Sequence, residues 1–422
     1  MQTASSGEPE KMDQMTAFRK VSEFILSTFQ DTLKEASGEL HHPYISPGGP
    51  YATNLWDWDS YWTLYAIFKT YDLNGNTAEI ASLRKYARGT LLNFLEHQGE
   101  DGALPIELTL IDADRFDCLK SADNNMAKPF IGQLAKLLFE YSLISKEELE
   151  KYLPQIRAYH QCFFNRYLDP RTGLIFCAKD WGLGVDDDPA VWGRPYKSCA
   201  SLYLNCFLYC DMQAAAELAG ICDDKDTENF EKSNAQNIAD AVRKYCWDER
   251  EKSFFSVDLQ CNVNLFQLKN TLLNKNLETF WHCLKLKILS WNCILPFWAG
   301  IGTQKQFDAF IKENFTNDRL RSEYGIRSLS CDEPMYAPAI KRGNPSNWLG
   351  PLWIVATYIT VETLKKFGHT EEARKQADGC IAMLARDLEK TGTFHEYYLP
   401  ETGEPVHNPN FMSWNALAAL MG

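Results

Sequence analysis

SCASLYLNCFLYCDMQAAAELAG, Ser198 to Gly220, is the stretch that decides the fold. It is long enough for about six helical turns and carries no charge before Asp211 and Glu217. A helix apolar on almost every side is enclosed by other elements rather than laid on a surface. The next periodic stretch, 227–246, is its opposite: Glu228, Lys232, Asp240, Arg243 and Lys244 give it a solvent face. Only 220–226 separates the two. An enclosed helix turned tightly into an amphipathic one is a hairpin with an inner and an outer member.

The pairing recurs outward along the chain. Phe18, Val21, Ile25, Phe29 and Leu33 step by three and four, as do Ala373, Ala377, Ile381, Leu384 and Leu388. Helices are predicted at 13–36, 58–71, 78–98, 125–142, 146–166, 197–219, 227–246, 291–301, 304–314, 351–367, 370–388 and 411–421. Those opening at 58, 125, 197, 291, 351 and 411 are the less charged. Connections 72–77, 143–145, 220–226, 302–303 and 368–369 have two to seven residues. Connections 37–57, 99–124, 167–196, 247–290, 315–350 and 389–410 have twenty-one to forty-four. Long loops in compact domains usually carry function. Six hairpins with every long loop at one end predict an all-α fold, an (α/α)6 barrel or six-hairpin toroid, with one working face. An α-solenoid would show a repeat at fixed period, and none is visible.

With 422 residues, 45% of them hydrophobic, a sizeable core is available. No linker composition interrupts 13–422, so a single catalytic domain is expected there. Residues 1–12 are polar, lack the apolar core of a secretory signal, and are expected to be disordered. The segment 264–289 reads as helical and is a candidate lid. A net charge of −13 argues against nucleic acid and anionic membranes as partners. No apolar run approaches the ~18 residues of a membrane span. The sequence does not reveal the oligomeric state. Thirteen cysteines without a C-x-x-C pair read as reduced thiols in a cytoplasmic protein. His41 and His42 are adjacent but have no ligand-like partners near them, so no metal or cofactor is expected.

Chemistry-bearing residues collect in the long loops. Leu55-Trp56-Asp57-Trp58-Asp59-Ser60-Tyr61 follows Pro47-Gly48-Gly49 at the first inner helix. Aromatic faces beside carboxylates suit sugars: the C–H face stacks and the carboxylates take hydroxyl protons. Read locally, Asp59 is equally an N-cap and the tryptophans core. Lys179 to Pro189 contains Trp181, Gly182, Gly184 and the run Asp186-Asp187-Asp188. Such a run is a solvated loop, a calcium ligand set, or a general acid held against tryptophan. Asn347-Trp348-Leu349-Gly350-Pro351 opens the fifth inner helix, and Trp291 stands at the fourth. Phe394-His395-Glu396-Tyr397-Tyr398 reads as a short strand, with Trp414 beyond it. Asp186 precedes the third inner helix and Glu396 the sixth. In a ring of six they face each other. Two opposed carboxylates on an aromatic pocket are the parts of glycosidic bond hydrolysis, and a span of roughly 6.5–9.5 Å implies inversion.

These segments resemble the trehalase-like clan of inverting α-glycosidases, most closely glycoside hydrolase family 63, which includes mannosylglycerate and glucosylglycerate hydrolases and α-glucosidases. The W-x-W-D-S-[FY] segment reads Trp56 to Tyr61, the acid loop Trp181 to Pro189, the S-W-R-G-P-V-W-like segment Asn347 to Trp353, and E-Y-Y-x-P-x-T-G-E Glu396 to Glu404. The resemblance implies an enzyme, an inverting O-glycosyl hydrolase acting on a small α-glucoside or α-mannoside without a cofactor. It implies Asp186 as a protonated general acid and Glu396 as an ionised general base. Trp58, Asp59, Tyr61, Lys128, Trp181, Trp291, Asn347, Trp348, Tyr397 and Trp414 are the candidate substrate-binding residues. The family's W-R-G-P arginine is Leu349 here, and its S-Q-P-P is Ala127-Lys128-Pro129-Phe130. Among Lys128, Arg194, Arg321, Arg327, Lys341 and Arg342 the residues that choose the leaving group are expected, by pairing with a carboxylate such as glycerate. The alternatives are a non-catalytic sugar-binding barrel, trehalase, or a sugar epimerase. The last wants paired histidines, and only His395 and His407 lie in a promising loop.

Overall fold

The computed structural model describes residues 13–260, 266–268, 271–273, 281–339 and 346–422. The tail 1–12, expected to be disordered, lies outside the described residues. In chain order the helices are α1 (Gln14–Thr28), α2 (Asp57–Leu73), α3 (Thr77–Ser82), α4 (Arg84–Glu96), α5 (Ile131–Glu140), α6 (Lys146–Tyr167), α7 (Leu202–Ile221), α8 (Lys225–Tyr245), α9 (Leu295–Trp298), α10 (Gln304–Phe310), α11 (Ile354–Lys366) and α12 (Thr370–Thr391). A 3-10 helix, Ser413–Leu420, follows. Packing runs from α2 to α5, α7, α9, α11, the 3-10 helix and back to α2, which closes an inner ring of six. Outside it α12 packs on α11 and on α1, while α6 and α8 pack on α7. This is the (α/α)6 barrel.

Local sequence explains the two rings. The inner α2 is buried without a break from Asp57 to Leu64. The outer α8 buries a stripe that includes Ala235, Ile238, Ala239 and Val242 and turns its charges to solvent. Outer helices start on built caps. Ser145 and Glu148 form a reciprocal capping box on α6, as do Thr303 and Gln306 on α10. Inner-to-outer connections are short, so the long loops lie together at the opposite end.

Several boundaries differ from the sequence reading. The helix predicted from 125 begins only at Ile131, because Pro129 disfavours helical geometry in the residue before it. That leaves Lys128 on a loop. The helix predicted over 291–301 is a 3-10 turn, Trp291–Ile294, followed by the single turn of α9. Gly300, at φ +82°, turns the chain away. The stretch 78–98 divides at Leu83 into α3 and α4, and α10 widens into a π-turn, Ile311–Phe315. The helical reading of 264–289 is corrected: its described part pairs Phe266–Leu268 with Thr271–Leu273, and Leu284–Lys285 with Val257–Asp258, all antiparallel. Pairing with a neighbouring strand outweighs weak helical preference.

The ring is sealed by the first long loop. The Pro47 carbonyl accepts the N–H groups of Met412 and Ser413, both at 3.0 Å, at the start of the last helix. Gly48 sits at φ +86°, where an added Cβ would lie 2.8 Å from the Asn410 carbonyl oxygen. The Pro-Gly-Gly turn is thus a fit between the first and last inner helices.

Candidate active site

The long loops enclose a cavity of about 890 Å³. Its wall includes Asp186 and Glu396, and with them Trp58, Asp59, Lys128, Trp181, Asn347 and Trp414. Tyr61, Trp291, Trp348 and Tyr397, also expected at the sugar, do not reach the wall. Tyr61 is about 200° round α2 from Asp59 and packs on Trp62 and Phe130. Tyr397 follows Glu396 on a strand, where side chains alternate, and packs on Trp353 at 5.0 Å. Trp348 stacks on Trp353 at 4.1 Å and on Trp291 at 5.5 Å, and its other neighbour is Trp58 at 6.0 Å. Of the indoles expected to hold substrate, Trp291 and Trp348 form a layer behind Trp58, while Trp58, Trp181 and Trp414 reach the cavity.

The three aspartates are sorted by their partners. Asp187 accepts the Trp348 backbone N–H at 2.6 Å. Asp188 accepts the Ala190 N–H and the Asn292 amide, both at 2.9 Å. Among the described residues only Asp186 has no such partner, and it stands on the cavity wall. Its loop is shaped by Gly184, at φ +81°, where an added Cβ would meet the Lys128 side chain at 3.0 Å and Trp58 at 3.1 Å. On the same cavity wall, Glu396 sits on the strand His395–Tyr398 and is 4% exposed. The Asn408 amide donates to its carboxylate and, at 3.2 Å, to the Tyr51 hydroxyl. Behind the strand, buried Asp387 accepts from Tyr398 at 2.8 Å and meets His395 Nδ1 at 2.9 Å.

Burial dominates the electrostatics. It pushes Glu396 up to about 8, with the charges of Asp59 and Asp186 adding to the shift. Burial also lifts Asp59 and Asp187 to about 7 and Asp188 to about 6. The expected ionised Glu396 is therefore corrected: at neutral pH the proton favours this buried carboxyl. Lys128 does not offset these charges freely, because its ammonium is held by Asp57 at 2.9 Å. Of the other cations expected to read the leaving group, Arg194 pairs with Asp258, Arg321 with Asp318 and Glu372, and Arg327 donates to Tyr336; none lines the cavity. Lys341 and Arg342 lie outside the described residues. Sequence reading missed Arg115, which lines the cavity and holds buried Glu107 at 3.0 Å, and Phe116, Trp192 and Tyr336. Their only signal was position in the long loops. The indole N–H groups of Trp56 and Trp414, buried without a partner among the described residues, are donors at the wall.

An (α/α)6 barrel whose long loops gather carboxylates on an aromatic cavity is the plan of a glycoside hydrolase. Residues 52–414 match the family model described as the mannosylglycerate hydrolase MGH1-like glycoside hydrolase domain, and the chain belongs to that family. Mannosylglycerate hydrolase of Thermus thermophilus is 22% identical over 308 residues, which span 63% of this chain and 68% of that one. Mannosylglycerate hydrolase MGH1 of Selaginella moellendorffii is 23% identical over 64% of this chain, and the match spans 59% of the plant protein. Among solved structures, a GH63 mannosylglycerate hydrolase from Thermus thermophilus in complex with glucose superposes with a TM-score of 0.67 at 18% identity, covering 96% of this chain and 99% of that one. Neutral trehalase Nth1 of Saccharomyces cerevisiae gives 0.60 at 16% identity, over 90% and 73%. At such identities the solved structures speak for the fold. No helix among the described residues is long and apolar enough to cross a membrane.

Proposed function

We propose that this chain is an inverting hydrolase of a small α-glucoside or α-mannoside, with Asp186 as general acid and Glu396 as general base within one catalytic domain, 13–422. The observation that carries this reading is the sorting of the aspartates: Asp186 and Asp187 both line the cavity that Glu396 shares, but Asp187 is engaged by the Trp348 backbone and Asp188 by Ala190 and Asn292, which leaves Asp186 without such a partner among the described residues. Asp186 gives its proton to the glycosidic oxygen as the bond to the anomeric carbon breaks. Glu396 takes a proton from water as the water oxygen bonds that carbon. The aglycone leaves as a neutral alcohol, and the proton returns to Asp186 before the next turnover. Trp58 and Trp414 give the sugar its apolar walls, and Asp59, fixed by the Ser413 hydroxyl at 2.9 Å, takes hydroxyl protons.

Asp186→Asn and Glu396→Gln should each lower turnover of the best α-glycoside by at least about 100-fold with unchanged circular dichroism. Full activity in either variant removes that residue from the mechanism. A panel of α-glucosides, α-mannosides, trehalose, and glucosyl- and mannosylglycerate identifies the substrate. On the described wall Lys128 and Arg115 are both held by carboxylates. A glycerate leaving group should thus gain little over its neutral glycerol counterpart, and a large preference for glycerate overturns this point. Buried cysteines such as Cys118, Cys162, Cys177 and Cys206 are thiols rather than disulfides, which supports a reducing compartment, the cytoplasm.

A further inference from the structure

Far from Asp186 in sequence, the first long loop passes the end of α4. There Glu39, His41 and His97 each place one potential ligand atom within 4.8 Å of the others. We propose that these three residues form a binding site for one divalent transition-metal ion of the zinc class. Sequence reading found no ligand set for His41 because His97 comes from another element, some fifty residues on.

Three observations point to a ligand. First, the tautomer of His97 is set. Its Nδ1 lies 2.7 Å from the Asn93 carbonyl oxygen, which can only accept, so that nitrogen carries the proton. Its Nε2 is turned to Glu39 Oε2 at 3.9 Å, too long for a direct hydrogen bond and short enough for one ion to bridge the two atoms. A ring oriented by hydrogen-bonding its other nitrogen to a backbone carbonyl is the usual support of a metal-bound histidine. Second, a carboxylate lies against the second ring: Glu96 Oε2 is 3.3 Å from His41 Nδ1, while its other oxygen takes His42 Nε2 at 2.6 Å. Third, the two backbones that carry the ligands are fixed to each other. The Asn93 side chain accepts the His42 N–H at 3.1 Å and donates to the His42 carbonyl at 2.9 Å. The Glu39 N–H is bound to the Leu110 carbonyl at 3.1 Å. The positions are built before any ion arrives.

Two imidazoles and a carboxylate, with one position left for water, suit tetrahedral zinc, whose ligand atoms stand about 3.3 Å apart at metal–ligand bonds of about 2.0–2.1 Å. The present spacing closes to that by small side-chain rotations. His97 is also the residue that ends α4, and the carbonyl end of a helix favours a cation. The ion would staple the first long loop to α4. That loop continues to Tyr51 on the cavity wall, but no ligand of the ion reaches the wall itself. The site is structural, and turnover does not pass through it.

The test uses cobalt as a spectroscopic stand-in on the full chain after chelator treatment. One equivalent of Co2+ should bind with visible d–d absorption and no thiolate charge-transfer band. Glu39→Ala and His97→Ala should weaken that binding by more than about tenfold, while His369→Ala, at a half-buried histidine on another helix pair, should leave it unchanged. Zn2+ should raise the melting temperature of the wild type and not of Glu39→Ala. Glu39 is exposed, so its loss does not threaten folding. No stoichiometric cobalt spectrum, a thiolate band showing capture by cysteines, or full binding by both variants overturns the proposal. Activity of the chelated enzyme should equal that of the untreated one, and a loss restored by zinc overturns the structural role.

Discussion

At the scale of single residues, the unusual group is Glu396. As the proposed base its carboxyl must be ionised to take a proton from water, yet burial lifts it to about 8. If Glu396 is the base, kcat/KM should therefore rise as pH rises through about 8, and a profile flat from about pH 5 to 9 would remove it from that role. Stability carries the same signature. A carboxyl raised in the folded state contributes stability that is full below its unfolded value of about 4.3 and is lost as pH rises through the folded value. The melting temperature of the wild type should decline between those limits. Glu396→Gln, which keeps an acceptor for Asn408, should flatten the decline and be the more stable protein at pH 8, by at least about 1 kcal/mol. Equal pH slopes in denaturant titrations of the two proteins would show that burial does not act on this group.

At the scale of elements, the short strand His395–Tyr398 is what presents Glu396. Its rear is fixed to α12 by Asp387, which is 2% exposed and serves both Tyr398 and His395. Asp387→Ala leaves two buried groups without a partner, at a cost of about 1–3 kcal/mol each, and releases the strand. Asp387→Asn keeps an acceptor for the Tyr398 hydroxyl. The alanine variant should lose stability and kcat together, with the asparagine variant recovering most of the stability. If alanine lowers the midpoint of urea unfolding but leaves kcat intact, the strand does not need this anchor to hold Glu396. The acid loop has a different support. Gly184 lets it pass against Lys128 and Trp58 with no room for a side chain.

At the scale of the molecule, the ring sets the stereochemistry. Asp186 stands before the third inner helix and Glu396 before the sixth, and on the proposed roles they should approach the sugar from opposite walls. A water held by Glu396 attacks from the side opposite the leaving group, and an α-glycoside should first release the β-sugar. Time-resolved proton NMR of the first product decides this. The α-anomer appearing first would mean that the two carboxylates do not act as proposed.

The sequence by itself determined the alternation of inner and outer helices, because burial on all sides leaves no room for charge, and Ser198 to Gly220 has almost none. It also determined that the working face lies at the end with the long loops, and it marked the segments that build the cavity. Helix limits were less legible where a proline or a neighbouring strand intervened, as at Pro129 and in 264–289. Which of the three aspartates lacks a partner, which indoles reach the cavity, and how far burial lifts Glu396 were decided only by tertiary structure. Each depends on a partner distant in the chain: Trp348 for Asp187, Asn292 for Asp188, and Asn408 with Asp59 for Glu396. The same holds for Glu39, His41 and His97, which the chain separates and the end of α4 brings together.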